Sequence, residues 1–358
     1  MSSGKAGKSE GWKPLEFRQT ASQSGLTMIC EEKRAQWSRR DFLGTAAMCG
    51  LALAVPGCQT ADKEAGSDEI IDIHQHLGYA GRSDEALLAH QRAMGVTKTI
   101  LLPAGRPVNT ASTHGGVSNG LQVKCLGNEA CYEFAKAHPK EYLFSANEVP
   151  DVDGAIQEIE KYLKLGAVGI GEQKFGVQCD SPEMQRIYEI SADYHAPILM
   201  HWQYGMYNYG FERLHTMLRK YPKTIFIGHA QTWWANIDKN DKDQSVLYPK
   251  GAVTAGGLTD RYLSDYPNMY GDLSAGSGLN ALTRDEDHAR EFLLRHQDKL
   301  MFGSDCTDVD GAGPKCSGAQ TIAAVRRLVT DRKIQRKLFC KNAERVFRIK
   351  AEHENKPS

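Results

Sequence analysis

The chain has 358 residues, with 44 basic and 44 acidic side chains and a formal net charge of +0. That balance gives no sign of the basic face on which nucleic-acid binding normally depends, and 41% hydrophobic with 25% charged residues describes a folded chain, not a disordered one. The length exceeds the usual single-domain size but suits one α/β barrel of about 250 residues with insertions.

In chain order, the first signal is Ser38-Arg39-Arg40-Asp41-Phe42-Leu43-Gly44, followed by an apolar run over residues 45–55. Paired arginines, Phe-Leu and a moderately apolar stretch resemble a twin-arginine (Tat) export signal. The run is too short for a membrane span, which needs about 20 apolar residues. It ends at Val55-Pro56-Gly57-Cys58, which is similar to a lipoprotein cleavage box with Cys58 as the acylated residue. A signal-peptidase cut nearby, without lipid, is the alternative. Met28 would give the signal a preceding segment of ordinary length, so translation is expected to start there. The expected organisation is an export region over 1–58, a polar linker over 59–68, a catalytic barrel over 69–350 and a tail over 351–358. The expected location is the periplasm, free or held to the membrane through Cys58. Beyond residue 58 lie Cys125, Cys131, Cys179, Cys306, Cys316 and Cys340, with no CxxC pair, so a zinc ribbon is not expected. In an exported protein Cys125 and Cys131 are a candidate disulfide, with free thiols as the alternative.

From Glu69 onward strand and helix signals alternate. Residues 69–74 are β-branched and apolar, as a buried parallel strand should be. Ser83 can cap a helix that Gly95 ends. A second strand is expected at 98–103, a helix at 128–137 and a third strand at 142–147. Asp153 is expected to cap a helix whose Ala155, Ile156, Ile159, Tyr162 and Leu163 form one apolar stripe, and Gly166 stops it. Strand four is 167–172. Ser181-Pro182-Glu183 is a strong helix start. Strand five is 197–201, a helix covers 211–219, strand six is 224–229 and strand seven 269–273. A helix over 284–296, strand eight at 299–305 and a helix over 319–329 complete the cycle. Eight strands separated mostly by helices favour a closed (β/α)₈ TIM barrel. The long stretch from 230 to 268 reads as an insertion at the active-site mouth. An open dinucleotide-binding sheet would need a GxGxxG fingerprint after strand one, and none is there.

The chemistry-bearing residues sit at strand ends. His74 and His76 close strand one, where residues i and i+2 share a face and two imidazoles can aim at one point. His201 ends strand five, His229 strand six and Asp305 strand eight, the end at which barrel enzymes place catalytic groups. Strand four ends Gly171-Glu172-Gln173-Lys174; Glu172 and Lys174 would be donors to a second metal, or simply a structural ion pair with a neighbouring strand. Arg106 could hold a substrate carboxylate. Trp202, Tyr204, Trp233 and Trp234 follow the two strand-end histidines and could wall a substrate pocket, with ordinary packing as the alternative. Asp272 near the end of strand seven either faces the cavity or braces a loop. Cys306 is expected to point away from the metal as packing.

His74-x-His76, Leu199-Met200-His201, Gly228-His229-Ala230 and Phe302-Gly303-Ser304-Asp305 together resemble the amidohydrolase superfamily, nearest its amidohydrolase-2 branch related to aminocarboxymuconate-semialdehyde decarboxylase. The resemblance covers about residues 69–347. It implies His74, His76, His201 and Asp305 as ligands of one divalent ion, zinc before manganese, iron or cobalt, with a second ion as an alternative. It implies His229 as an acid/base or carbonyl-polarising group and Asp305 as the acceptor of the proton from water. The implied reaction is hydrolysis of a small ester, lactone or amide by metal-activated water. Non-oxidative decarboxylation by the same ligands is the alternative, and an exported non-catalytic binding protein is a third reading. The expected partners are a small-molecule substrate and the export machinery, with self-association left open.

Overall fold

A computed structural model describes residues 69–105 and 125–350. The expected export signal, Met28, Cys58 and Arg106 lie outside those residues. Eight parallel strands appear in the expected order: β1 (Ile71–Gln75), β2 (Lys98–Leu101), β3 (Tyr142–Phe144), β4 (Ile170–Gln173), β5 (Ile198–His201), β6 (Phe226–His229), β7 (Met269–Asp272) and β8 (Leu300–Met301). Regular pairing runs β1-β2-β3 and β4-β5-β6-β7-β8. Two seams join these runs. Ala146 N donates to Gly169 O at 2.9 Å and Gly171 N to Ala146 O at 2.9 Å between β3 and β4, and Ile73 N donates to Phe302 O at 3.1 Å between β8 and β1. The result is a closed (β/α)₈ barrel.

The helices are α1 (Asp84–Ala93), α2 (Asn128–Ala137), α3 (Ala155–Lys164), α4 (Pro182–Tyr194), α5 (Leu214–Lys220), α6 (Gln231–Ala235), α7 (Leu258–Asp265), α8 (Ala275–Thr283), α9 (Glu286–Arg295), α10 (Ser317–Leu328), α11 (Arg332–Arg336) and α12 (Asn342–Phe347). Ser83 and Ser181 cap α1 and α4, their hydroxyls accepting from Ala86 N and Met184 N. Asp153 does not cap α3; Gly154, at φ 79°, turns the chain into that helix instead, a left-handed conformation that glycine adopts at no steric cost. Strand eight is shorter than expected, because from Phe302 onward the chain leaves regular pairing to form the site. The insertion after β6 carries α6 and α7, and α8 follows β7 directly. The stretch containing α8 is rich in Gly, Ala and Ser and offers little amphipathic signal. Cys125 and Cys131 are free thiols.

Two apolar clusters hold the barrel. Along the barrel axis, Ile71, Ile73, Ile100, Leu102, Leu199, Ile227 and Met301 pack with Ala343, Val346 and Phe347 of α12. Strand alternation then carries the same inner face upward, from Leu199 to His201 and from Ile227 to His229. On β1 strict alternation from Ile73 would turn His74 outward. There the pairing with β2 shifts register between Asp72 and Gln75, and both imidazoles reach the barrel mouth. The larger cluster lies between strands and helices and contains Trp202, Trp233 and Phe211.

Asp72, fully buried on β1, ties that strand to the end of β8. Its carboxylate accepts from His74 N at 3.0 Å, Ser304 N at 2.9 Å, Ser304 Oγ at 2.5 Å and Gln91 Nε2 at 3.0 Å. Asp72→Ala would leave several of these donors buried and unsatisfied, each costing about 1–3 kcal/mol. The expected loss in urea unfolding is therefore about 3 kcal/mol or more; an unchanged midpoint and slope would refute the bracing role.

Candidate metal centre

The mouth of the barrel gathers His74, His76, Glu172, His201, His229, Asp272 and Asp305. All but Asp305 are at most 3% exposed. His74 Nε2 and His76 Nε2 stand 3.3 Å apart. Glu172 Oε2 lies 3.8 Å from the first and 3.6 Å from the second, and Asp305 Oδ1 lies 3.7 and 3.6 Å from the same two nitrogens. Donors bound at about 2.1 Å to one ion lie about 3.0–3.4 Å from their neighbours, so this set needs only a small contraction to close around a cation.

Glu172 has a second face. Its Oε1 meets His201 Nδ1 in a short contact and stands 3.5 Å from His229 Nε2. Glu172, His201 and His229 form a second group of converging donor atoms, distinct from the His74, His76 and Glu172 group. His201 falls in the second group, with Glu172 between it and the β1 histidines that the sequence grouped with it around one ion. Glu172 is not half of a plain ion pair with a neighbouring strand, because its oxygens are shared among four imidazoles. Lys174 sits at the rim, its ammonium 5.5 Å from the Tyr207 ring centre.

The outer contacts of the imidazoles set their direction. His76 Nδ1 faces Leu102 O at 2.7 Å. Asp272 Oδ2 reaches His74 Nδ1 at 2.7 Å and His229 Nδ1 at 3.1 Å, so one carboxylate turns two Nε2 atoms toward the centre. Ser274 Oγ donates to that oxygen at 2.6 Å and lies 3.0 Å from His229 Nδ1. Such partners fix ring orientation and tautomer in metal sites. His229 Nε2 is buried with no hydrogen-bond partner among the described residues, an orphan that a bound cation or substrate would satisfy. Gly303 makes room for the arrangement: a Cβ there would fall 2.5 Å from Asp272 Oδ1 and 2.9 Å from His74 Cβ.

The electrostatics suit a cation. Burial, followed by the neighbouring His74, pushes His76 down to about 4. Burial, followed by the Lys174 charge, does the same to His201, so both are neutral donors at neutral pH. Burial opposes charge on His229, but its contacts with Asp272 and Asp305 win and lift it to about 10. Burial likewise works against ionising Asp272, Glu172 and Asp305. The histidines beside Asp272 bring it to about 2; Lys174 and His201 hold Glu172, and His74 and His229 hold Asp305, well below the usual carboxylate range. Three carboxylates with His76 and His201 neutral form a donor set for divalent metal, and a cation at His229 Nε2 would displace the proton that Asp272 and Asp305 favour there.

The expected aromatic wall is only partly there. Trp202 and Trp233 are fully buried, and Trp234 nearly so. Trp202 follows the inward-facing His201 and so turns outward against Phe211, and Trp233 packs over Gly228. Tyr204 is 58% exposed and lines a groove of about 630 Å³ together with Gln203, Tyr207, Asn208, Thr232 and Gln244. Gln203 Oε1 is 3.3 Å from His201 Nε2, which joins the groove to the metal centre. Cys306 points away from the centre, toward Cys316. Ser274, Tyr79 and Gln203 were not singled out as site residues from sequence; Asp272 was left open between cavity and loop, although it carried the same strand-end signal as His201.

The sequence matches the family model described as Amidohydrolase over residues 71–349. No curated protein sequence matches the chain. Among solved structures, a TIM-barrel protein from Bordetella bronchiseptica is similar at 15% identity and a TM-score of 0.53, over 78% of this chain and 98% of that one. An amidohydrolase from Burkholderia multivorans is similar at 13% identity and a TM-score of 0.52, over 78% and 99%. A 2,6-dihydroxybenzoate decarboxylase from Rhizobium is similar at 12% identity and a TM-score of 0.50, over 78% and 99%. At these identities the likeness is one of fold.

If Asp272 orients His74 and His229 as ligands, Asp272→Asn should weaken metal binding by about 10–100-fold while the chain stays folded. Chelator competition followed by circular dichroism checks this; unaltered affinity would mean that Asp272 is only a brace.

Proposed function

The chain belongs to the amidohydrolase family, and we propose that within it this protein is a two-metal hydrolase of small, neutral esters, lactones or amides. The observation that carries the reading is the placement of Glu172, one oxygen toward His74 and His76 and the other toward His201 and His229. His74, His76 and Asp305 would hold one ion, His201 and His229 the other, and Glu172 both. When bound, a divalent pair supplies a hydroxide-strength nucleophile at neutral pH and polarises the scissile carbonyl. Zinc fits the mixed nitrogen and oxygen donors, as do manganese, iron and cobalt.

The remaining steps belong to side chains. Asp305 accepts the proton released on attack and returns it to the leaving group. Tyr79, whose hydroxyl donates to Asp305 Oδ1 at 2.9 Å, leaves Oδ2, which stands 3.5 Å from His229 Nε2, to take the proton. The amide and hydroxyl groups of Gln203, Asn208 and Thr232 line the groove together with Glu212, Asp241, Arg213 and Lys242, whose charges balance, a lining that suits a polar substrate without net charge. The twin-arginine signal and Cys58 support action outside the cytoplasm, free or lipid-anchored. N-terminal sequencing and mass of the mature protein would check that, and a mature chain beginning upstream of Met28 would sink it.

Metal counts separate two ions from one. His74→Ala and His201→Ala are each expected to lose about one equivalent relative to the parent, and the double variant two. A double variant that loses only what each single variant loses would mean one shared ion. On a panel of lactones, esters and amides the expected product is a new acid without carbon dioxide. Carbon dioxide release from an aromatic or unsaturated acid, with no hydrolysis, would replace this reading with decarboxylation.

A further inference from the structure

Behind β8, away from the barrel mouth, four more donors converge. Cys306 and Cys316 bring their sulfurs to 3.7 Å, His90 Nε2 lies 3.5 Å from Cys316 Sγ, and Asp308 Oδ2 lies 3.9 Å from the same nitrogen. His90, Cys306, Asp308 and Cys316 thus form one group of candidate ligands. Zinc bound to sulfur at about 2.3 Å and to nitrogen at about 2.0–2.1 Å in tetrahedral geometry sets two sulfurs about 3.8 Å apart and a sulfur and nitrogen about 3.5 Å apart. The sulfur–sulfur and sulfur–nitrogen edges match those values, the Asp308 oxygen stands farther out at 3.9 Å from His90 Nε2 and would swing inward to close the set, and the sulfur separation is far beyond a covalent bond of about 2.05 Å. We propose that this Cys₂-His-Asp cluster is a structural Zn²⁺ site, separate from the catalytic centre.

The surroundings support thiolates and a net negative site. Cys316 caps α10 and its sulfur accepts from Ala319 N at 3.3 Å, a helix start that favours negative sulfur. Arg82 is 7% exposed, and its Nη1 donates to the carbonyl oxygens of Cys306 and Asp308 at 3.0 and 2.8 Å. Among the described residues no carboxylate pairs with this buried guanidinium, and its Nε has no partner. A buried charge without a counter-charge is costly. One Zn²⁺ with two thiolates and one carboxylate carries a charge of −1 and supplies what Arg82 lacks; the two thiol protons pass to solvent on binding. His90 lies on α1, Cys316 opens α10, and Cys306 directly follows Asp305. The ion would clip α1 to the segment after β8 and hold the Asp305 backbone, which sits at φ 40°.

Cobalt separates this site from the catalytic one, because the barrel-mouth donors include no sulfur. Full-length protein loaded with Co²⁺ under reducing conditions should show a thiolate-to-cobalt charge-transfer band in the near ultraviolet. The band should persist in His201→Ala and vanish in Cys306→Ser and Cys316→Ser. Zn²⁺ should shield both thiols from a thiol-specific disulfide reagent. Should the serine variants fail to fold, the parent band and the shielding still decide, together with a shift of the band in Asp308→Asn. No band with both thiols freely reactive would overturn the proposal. So would a Cys306–Cys316 peptide pair lacking two hydrogens, which would make the two a disulfide. Either failure leaves the catalytic reading standing, since that reading is tested by counts in His74→Ala and His201→Ala.

Discussion

Everything at the barrel mouth depends on burying three carboxylates among four imidazoles. An isolated buried charge is expensive, and charges persist inside a protein only when paired or bound to metal. Asp272 satisfies the requirement within the chain, its carboxylate shared by His74 Nδ1, His229 Nδ1 and Ser274 Oγ. Glu172 and Asp305 satisfy it only in part. Their oxygens stand 3.5–3.8 Å from imidazole Nε2 atoms, too long for good hydrogen bonds but close to the spacing of co-ligands. The inner pair Asp272–His is thus complete without an ion and aims the outer donors at the space where an ion completes them. This division explains how the scaffold folds while its most charged region still calls for a cation.

The scaffold meets that need through strand alternation. On β5 and β6 the inward face reads Leu199 then His201, and Ile227 then His229: apolar in the barrel, polar at its rim. Gly228 and Gly303 are the matching constraints on the outward face and the mouth, where a side chain would strike Trp233 or Asp272. Asp72 performs the joining role at the β1–β8 seam, which places the two β1 histidines beside Asp305. The site is therefore assembled by residues that never touch an ion.

Much of this was legible in the sequence. Eight βα units, the serine caps of α1 and α4 and the strand-end histidines all followed from periodicity and position. The aromatics were left open between pocket wall and packing although the sequence held the answer for one of them: Trp202 is adjacent to inward-facing His201 and must turn away from it. Glu172 was seen as a donor, but a linear pattern does not reveal that one carboxylate spans two histidine pairs, because that depends on how far β4 and β5 stand from β1. Asp272 was undervalued because a lone strand-end acid looks the same whether it braces a loop or orients two imidazoles. The Cys306–Cys316–His90 cluster was hidden for a similar reason. His90 sits in the last turn of α1, more than two hundred residues from the cysteines, so no CxxC or HxH spacing announces it.

The direction of substrate approach follows from what borders each donor set. On the β1 side, His76 is packed edge-on against Tyr79, and the Tyr79 hydroxyl caps Asp305. On the β5 side, Gln203 and Tyr207 touch His201 and continue into the 630 Å³ groove formed with the β6–β7 insertion. Among the described residues the open flank is therefore the His201 flank, and a carbonyl entering there meets His201 and His229 before it meets His74 and His76. In the proposed hydrolysis that approach would divide the work: the His74–His76 set, beside Tyr79 and Asp305, would hold the nucleophile next to its base, and the His201–His229 set would receive the carbonyl. Glu172, shared by both, keeps the two a fixed distance apart.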